Sequence, residues 1–421
     1  MPVLRERTAG FFTRHRYAVF FFAYLVVYNV CIVNRCGTWT VSDIVYTYHI
    51  VDFKNLGFRS QLLPGAIFYG IFGDRTSETL ITVYEAVLII LFFIFAAFLL
   101  ERFMHSVEKK YLRASMILVL FYMSGMLTFA IFTDELGMLD SYWLFFSAMF
   151  IFFLDRKALR FLIPVLFVLS LLVHFSAVLC YVAGFSILLL YRISAAEDRR
   201  SRAGYIAVAA LCLAATGVLL IYFILFQSDG LPMTMEEFGQ LVKDRGGDYV
   251  LYYEYSLFNW YKMREVIPSE VFAIASPVER LIKIVISKCS FTIWEYSLDP
   301  LAFALRLALI FSVGTPAAVF YYRRMARFFK VLRGRRLKRL CVVLMMIQPV
   351  FTAVTGSLYS PDLVRWCTHA FLIAFTLFLY LLRREPELAA DVFGSLERAS
   401  SSVPFFVYFL SYALVNLWAY C

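Results

Sequence analysis

A single histidine lies inside one of the most apolar stretches of the chain. His174 follows Leu171, Leu172 and Val173 and precedes Phe175. An ionisable side chain in such a stretch is a functional candidate if the stretch lies in a membrane, and a structural histidine is the alternative. A neutral imidazole could accept a proton as a general base or donate a hydrogen bond to a phosphate. His174 is therefore a candidate catalytic residue.

A second candidate group lies near the C-terminus, in the stretch SPDLVRWCTHAF. Asp362, Arg365 and His369 follow one another at i, i+3 and i+7, which places them on one face of a helix. A carboxylate, a guanidinium and an imidazole on one stripe should face protein, not lipid. The alternative is a structural ion pair between Asp362 and Arg365 that closes the helix end.

Acidic side chains cluster in the turn TDELGMLDSYW. Asp134, Glu135 and Asp140 have no basic residue beside them, and full hydration of the turn would account for all three. Asp140, however, begins an apolar run and should lie close to the bilayer. Ionisable groups at that depth are functional candidates, so this turn joins the list of possible sites.

Arg59 precedes a short apolar stretch, LLPGAIFYGIFG, at residues 62–73. About 12 residues are too few to cross a bilayer, so a re-entrant or interfacial segment is expected. Arg59 would then lie near the membrane surface, where a guanidinium can pair bidentately with phosphate. An ordinary arginine that extends toward the surface is the alternative.

The elements that must position these residues follow from the composition. Of the 421 residues, 62% are hydrophobic and only 17% are charged, so most of the surface must face lipid. We predict an all-α polytopic membrane protein that forms a single domain over residues 1–421. About eleven transmembrane helices are expected near residues 17–33, 80–101, 114–133, 141–154, 161–174, 176–191, 205–227, 300–322, 339–358, 366–382 and 404–420.

The stretch 161–191 is too long for one span and short for two. We interpret it as a tight hairpin that turns at or near the outer leaflet. His174 would then lie at membrane depth, where irregular backbone must be covered by protein or line a cavity.

Lysine and arginine are concentrated in alternate connections, which predicts a cytoplasmic N-terminus and no cleaved signal peptide. The predicted cytoplasmic segments are 1–16, 102–113, 155–160, 192–202, 323–339 and 383–398. Two long segments lie outside: 34–79, and 228–299, which is expected to be a loop of short helices. All the candidate residues above then fall on the outer side.

The net charge of +10 does not indicate nucleic acid. Nine basic residues between Arg323 and Arg339 come directly after a predicted span and should contact anionic lipid headgroups on the cytoplasmic side. A docking site for a cytoplasmic protein is the alternative. The eight cysteines show no metal-binding spacing, and no nucleotide-binding motif is present.

In its layout and in several short motifs, the chain resembles the Wzy and EpsG-type polysaccharide polymerases and the O-antigen ligases, which have GT-C-like folds. The motifs are SDIVYTYHIVDF leading to GFRSQLLPG, GMLDSYW before a span, LLVHFSAVLCYVAGF, and DLVRW near the last spans. The resemblance implies a bacterial inner-membrane glycosyltransferase of polysaccharide biosynthesis. Its substrate would be a polyprenyl-linked glycan, and other cell-envelope biosynthesis proteins would be its partners.

By the same resemblance, Arg59 and Arg365 would bind the pyrophosphate of the donor, and His174, Asp140 or Asp362 would accept the proton of the acceptor hydroxyl. His369, Asp134 and Glu135 would complete the substrate-binding site. Metal-dependent GT-C enzymes place an acidic pair after the first span. Here Asp43 and Asp52 are isolated and are assigned to the substrate site, so a mechanism without metal or other cofactor is favoured.

A transporter or flippase for lipid-linked sugars is the main alternative function. Transporters often contain repeated halves with broken helices at matching positions, and no such repeat is evident in this chain. A membrane-bound acyltransferase and a purely structural membrane subunit are further alternatives.

Overall fold

A computed structural model describes residues 13–36, 41, 43–73, 77–124, 139–227, 234–246, 269–274, 276–359 and 363–418. Within these ranges all regular structure is helical. The α-helices are α1 Arg16–Cys36, α2 Asp43–Ile50, α3 Phe53–Leu56, α4 Leu63–Phe72, α5 Glu78–Ser106, α6 Leu112–Ser124, α7 Asp140–Leu154, α8 Ile163–Val173, α9 Tyr181–Ala195, α10 Arg199–Tyr222, α11 Met235–Gly246, α12 Ser269–Phe272, α13 Pro277–Leu298, α14 Pro300–Val331, α15 Arg336–Tyr359, α16 Leu363–Arg384, α17 Pro386–Ser400 and α18 Val403–Trp418.

Several of these helices are long and apolar enough to cross a membrane, so the protein is a helical membrane protein. In the part of the chain that the structure describes there are four, namely α5, Arg199–Leu225, α15 and α16. Helix α14 makes a fifth if its bent halves, Phe303–Ser312 and Gly314–Val331, count as one span. Five shorter apolar helices lie over other predicted spans, namely Arg16–Cys31, Asp140–Leu154, Arg160–Val173, Tyr181–Ala195 and Val403–Tyr412. The short helix α4 covers the stretch 62–73 that was predicted to be re-entrant or interfacial.

Local sequence explains where the helices begin and bend. The Ser77 side chain accepts a hydrogen bond from the Leu80 backbone N–H at 3.2 Å and so caps α5, and Asp198 caps α10 in the same way. Pro316 lies inside α14 and has no N–H to donate to the carbonyl four residues earlier, that of Ser312. The 48° bend follows Ser312, as expected for a proline kink.

The first segment after α1 folds onto the helices that hold the candidate site. Helices α2 and α4 pack together, α2 also contacts α5, and α4 contacts α8. The backbone between α3 and α4 is fixed by two bonds to the end of α8. Gln61 donates its N–H to the Leu172 carbonyl at 2.8 Å, and the Ser60 hydroxyl donates to the Leu171 carbonyl at 3.0 Å.

Two connections differ from their predicted form. The segment 228–299 was predicted to contain short helices, but α13 has 22 residues and packs against α15. Its charged residues, such as Lys283 and Lys288, interrupt the apolar run, so hydropathy did not predict a long helix here. The connection 383–398, which was predicted to be cytoplasmic, contains α17. This helix buries Val392 and Phe393 and packs on α6, α14, α16 and α18. Because α17 is apolar on one face only, its average hydropathy is too low for it to be recognised as a membrane span.

The stretch 161–191 forms two helices, α8 and α9, that both pack against α10. Helix α8 ends at Val173, next to the predicted break, and a 3₁₀-helix over Phe175–Leu179 leads into α9. The second half of the predicted span 114–133 lies outside the described residues beyond Ser124.

Candidate functional site

Asp140 forms the first residue of α7 and is completely buried. Its Oδ2 atom lies 2.7 Å from Nε of Arg365, in the first turn of α16. The carboxylate also lies at the positive end of the α7 dipole, which stabilises its charge. The predicted partner of Arg365, Asp362, lies outside the described residues, and the ion pair connects α16 with α7.

His369 follows Arg365 by one helical turn and meets the same carboxylate. Its Nε2 atom lies 3.1 Å from Asp140 Oδ1, and its Nδ1 atom lies 2.9 Å from the hydroxyl of Tyr181. His369 therefore lies between the Asp140 carboxylate on its Nε2 side and the Tyr181 hydroxyl on its Nδ1 side. Arg365 and His369 thus share a face, as predicted, and converge on Asp140.

Aromatic rings pack around His369 and hold it in place. Trp143 and Trp366 contact its ring with centroid distances of 5.5 and 5.8 Å. Trp366 lies directly against Gly356 of α15, where a Cβ atom would come within 2.1 Å of the indole. Glycine is therefore needed at 356 for α15 and α16 to approach this closely.

His174 lies at the break between α8 and the following 3₁₀-helix. Its Nδ1 atom accepts the backbone N–H of Ser176 at 3.1 Å and contacts the Ser176 hydroxyl at 2.6 Å. A backbone N–H can only donate, so Nδ1 carries the lone pair and the neutral ring has its proton on Nε2. Of the two predicted roles, this tautomer favours a hydrogen-bond donor over a general base.

Ring contacts connect His174 with the ion pair: the Trp143 ring lies edge-on to both His174 and His369, with centroid distances of 6.0 and 5.5 Å. Lys288 extends from α13 and donates to the Tyr359 hydroxyl at 2.9 Å. The Tyr359 ring in turn contacts Phe175, with centroids 5.8 Å apart. Contacts through Tyr359 and Trp143 therefore connect the break at His174 with Lys288 and with the Arg365–Asp140 pair.

No protein-family model, curated protein or solved structure matches this chain. The function must therefore be inferred from the geometry of the site.

Arg59 belongs to the segment that docks onto the break at His174. The backbone N–H of Phe175 donates to the hydroxyl of Ser60 at 2.8 Å, so the residue after Arg59 touches the residue after His174. The half-buried Arg59 donates its Nε–H to the Leu56 carbonyl at 2.9 Å. This bond holds the first part of the side chain against its own segment.

Asp52 has a local structural role. Its Oδ1 atom accepts from the backbone N–H groups of Lys54 and Asn55 at 3.0 and 3.1 Å and so caps α3, while Arg245 lies 3.6 Å from Oδ2. Asp134, Glu135 and Asp362 lie outside the described residues, as does the side chain of Asp43.

No group of three or more His, Cys, Asp or Glu side chains that could hold a metal ion occurs within the described ranges. Several of the acidic candidates lie outside those ranges, so the mechanism without a metal stays a prediction from the sequence.

Sequence reasoning missed a buried polar cluster beside Asp140. His49 of α2 and Glu85 of α5 are fully buried, with His49 Nε2 only 2.7 Å from Glu85 Oε1. Ser141 and Tyr142, the two residues after Asp140, donate their hydroxyls to the Glu85 carboxylate at 3.2 and 2.9 Å. Glu85 is the one charged residue inside the predicted span 80–101, apart from Glu101 at its end, and that signal could have identified it.

Proposed function

We propose that the protein transfers a sugar or an oligosaccharide repeat unit from a polyprenyl-(pyro)phosphate-linked donor to a growing glycan. The acceptor hydroxyl oxygen attacks the anomeric carbon, and a new glycosidic bond forms. The bond from that carbon to the phosphate oxygen breaks, and its electron pair leaves with the polyprenyl (pyro)phosphate. The hydroxyl proton passes to a carboxylate.

The observation that carries this proposal is the set of contacts that connect Arg365, Lys288 and His174, with its Nε2–H, around one break in the helices. All three supply positive charge or a hydrogen-bond donor. A leaving pyrophosphate gains negative charge in the transition state, and fixed donors at that point lower the barrier.

The His174 tautomer narrows the choice of proton acceptor among the predicted residues. With His174 as a donor, Asp140 and Asp362 remain. Asp140 is bound to Arg365 and His369, and this makes it a weak base in the arrangement described. Asp362 directly precedes α16 and is the residue that we assign to this role.

The proposal includes the topology expected from the Lys and Arg distribution: a GT-C-like fold of about eleven spans in a bacterial cytoplasmic membrane. The N-terminus is cytoplasmic in this topology. The start of α7, the start of α16 and the break at His174 then share the outer face, where a lipid-linked donor and a growing glycan would meet.

The test uses the purified full-length chain in liposomes with a polyprenyl-pyrophosphate-linked oligosaccharide, and the product is the glycan of increased length. We expect elongation by the wild type and by the control Arg333→Gln, which changes an arginine in the connection between α14 and α15. Lys288→Met and Arg365→Gln should reduce elongation by about 100-fold.

A deletion strain of the native host supplies the second measurement. Single repeat units or truncated chains on the outer lipid carrier support the transferase. Precursor that accumulates on the cytoplasmic side, together with no elongation in liposomes, would overturn the proposal in favour of a transporter.

A further inference from the structure

Helices α7 and α16 run in the same direction and are joined at both ends by ion pairs. At one end Asp140 pairs with Arg365. At the other end Asp155, the residue that follows α7, accepts from Arg383 at 2.9 Å and also binds Arg384. Between these two ends the helices are separated by an apolar groove.

The groove holds about 850 Å³ of space, counting its open side, and is lined mainly by α5, α7 and α16. The residues that α5 contributes run from Phe92 to Phe103, and those of α16 run from Leu372 to Arg383. Eleven helical steps correspond to about 16 Å. That length is close to the hydrocarbon thickness of one leaflet, about half of 30 Å.

The hydroxyl groups along the groove are satisfied by the protein itself. Tyr122 and Thr376 hydrogen-bond to each other at 3.0 Å, and Ser147 donates to the Trp143 carbonyl at 2.7 Å. The walls therefore offer an apolar surface without free polar groups, which suits a hydrocarbon chain.

The Asp155 end of the groove carries excess positive charge. Arg102, Arg383 and Arg384 surround one carboxylate, that of Asp155, whose side chain is only 1% exposed. Arg102 and Arg384 remain 41% and 33% exposed and can bind a further anion.

The nearby carboxylates do not cancel this excess. Glu385 is bound by Lys338 and Tyr191, and Glu101 by His15. The arginines therefore have a net charge that an external anion would balance.

We propose that this groove binds one acyl chain of an anionic phospholipid, whose phosphate is held by Arg102 and Arg384. The arginine end of α16 lies at the end of a span, so the headgroup stays at the membrane interface while the chain follows the groove. The site is separate from the cluster at Asp140, and the proposal does not depend on the glycosyltransferase function.

The experiment measures which lipids the full-length chain retains after extraction from mixed phosphatidylglycerol and phosphatidylcholine bilayers, by native mass spectrometry. We expect one phosphatidylglycerol molecule to be retained in preference to phosphatidylcholine. Arg102→Gln with Arg384→Gln keeps the Arg383–Asp155 pair and should weaken retention about 30-fold, as expected for two basic contacts with an anionic headgroup. The control pair Arg199→Gln and Arg200→Gln, at the exposed start of α10, should retain the lipid.

The groove itself is tested by Ala96→Phe, which fills it from α5, against Ala210→Phe on the exposed face of α10. Only the first should lose the lipid. A second measurement uses the wild type alone and so does not depend on whether the variants fold. Phosphatidylglycerol should raise the thermal midpoint of the wild type more than phosphatidylcholine does. Equal retention of both lipids, unchanged binding in Ala96→Phe, or displacement of the retained phosphatidylglycerol by added polyprenyl phosphate would each overturn the proposal.

Discussion

The Arg365 guanidinium and the Asp140 carboxylate, 2.7 Å apart, are buried to different degrees. The Asp140 side chain is fully enclosed, whereas 24% of the Arg365 side chain is exposed. Asp140 therefore holds the guanidinium at its Nε atom, and part of the Arg365 side chain reaches the protein surface. This geometry fits the proposed roles, in which Asp140 positions Arg365 and Arg365 binds the phosphate of the donor.

We predict that Arg365→Lys abolishes most of the elongation activity but leaves the protein folded. Lysine keeps a positive charge beside Asp140. Its single ammonium group, however, cannot bind the carboxylate and a phosphate at the same time, as the planar guanidinium of arginine can. The loss should be about 100-fold in kcat/KM, with a thermal midpoint near that of the wild type.

Asp140→Asn gives the complementary result. It leaves Arg365 and His369 without their shared carboxylate, so both the thermal midpoint and the activity should fall. The expected loss of stability is about 3 kcal/mol, the lower range for breaking a buried ion pair. An active Arg365→Lys protein would contradict the assignment of Arg365 as the phosphate-binding residue.

The His174 tautomer predicts different results for two conservative substitutions. Glutamine at 174 places an N–H near the position of Nε2, whereas asparagine places its amide near Nδ1 and can still cap the 3₁₀-helix through Ser176. We expect His174→Gln to retain a measurable part of the elongation activity and His174→Asn to fold normally but lose it.

The pH–rate profile distinguishes donor from base at this position. If His174 only donates, the slope at acidic pH should be the same in His174→Gln and in the wild type. A slope that disappears in His174→Gln would show that His174 acts as the base.

The membrane-embedded helical class and the pairing of residues on α16 were predictable from the sequence. Composition identifies the solvent as lipid, and the i, i+4 spacing of Arg365 and His369 places both on one face. Their partner Asp140 could be nominated from its position before an apolar run. That it would meet them was not predictable, because the contact joins helices more than 200 residues apart in the chain.

Lys288 was missed for a different reason. It lies within a segment that reads as a polar outer loop, and only the packing of α13 against α15 brings it to Tyr359. The tautomer of His174 could not be predicted from the sequence either, because it depends on a hydrogen bond from the backbone N–H of Ser176. Hydropathy reports which residues avoid water and carries no information on such contacts.

The buried pair of His49 and Glu85 should contribute strongly to stability. Both side chains are fully enclosed, so removal of one leaves the other polar group buried without its partner. We predict that Glu85→Ala destabilises the protein by about 3–5 kcal/mol and lowers its thermal midpoint. Glu108→Ala is the matched control, because Glu108 pairs with Lys110 on the surface and is 66% exposed.

The double variant His49→Leu with Glu85→Leu tests whether the pair is needed for folding. Replacing both partners by apolar residues should recover much of the stability that Glu85→Ala loses. If Glu85→Ala melts like Glu108→Ala, the cluster does not hold the first outer segment in place.

Asp155 predicts how stability depends on pH. Burial alone would raise the pKa of Asp155, but the guanidinium groups of Arg384 and Arg383 outweigh it and hold the pKa below its usual value. A carboxyl group with a lowered folded-state pKa stabilises the protein above its unfolded pKa, about 3.9. That stabilisation is lost as the pH falls through the lower, folded-state pKa.

We therefore expect the wild type to melt at a higher temperature than Asp155→Asn at neutral pH, by the equivalent of about 1–3 kcal/mol. The difference should persist down to about pH 4 and shrink below it, because protonation removes the charge that the substitution has already removed. Thermal unfolding of both proteins across this range, in the same detergent, measures the effect. Glu197→Gln serves as the control, since Glu197 is exposed on the protein surface. A difference between the wild type and Asp155→Asn that stays constant into strongly acidic solution would show that the carboxylate charge is not what joins α7 to the end of α16.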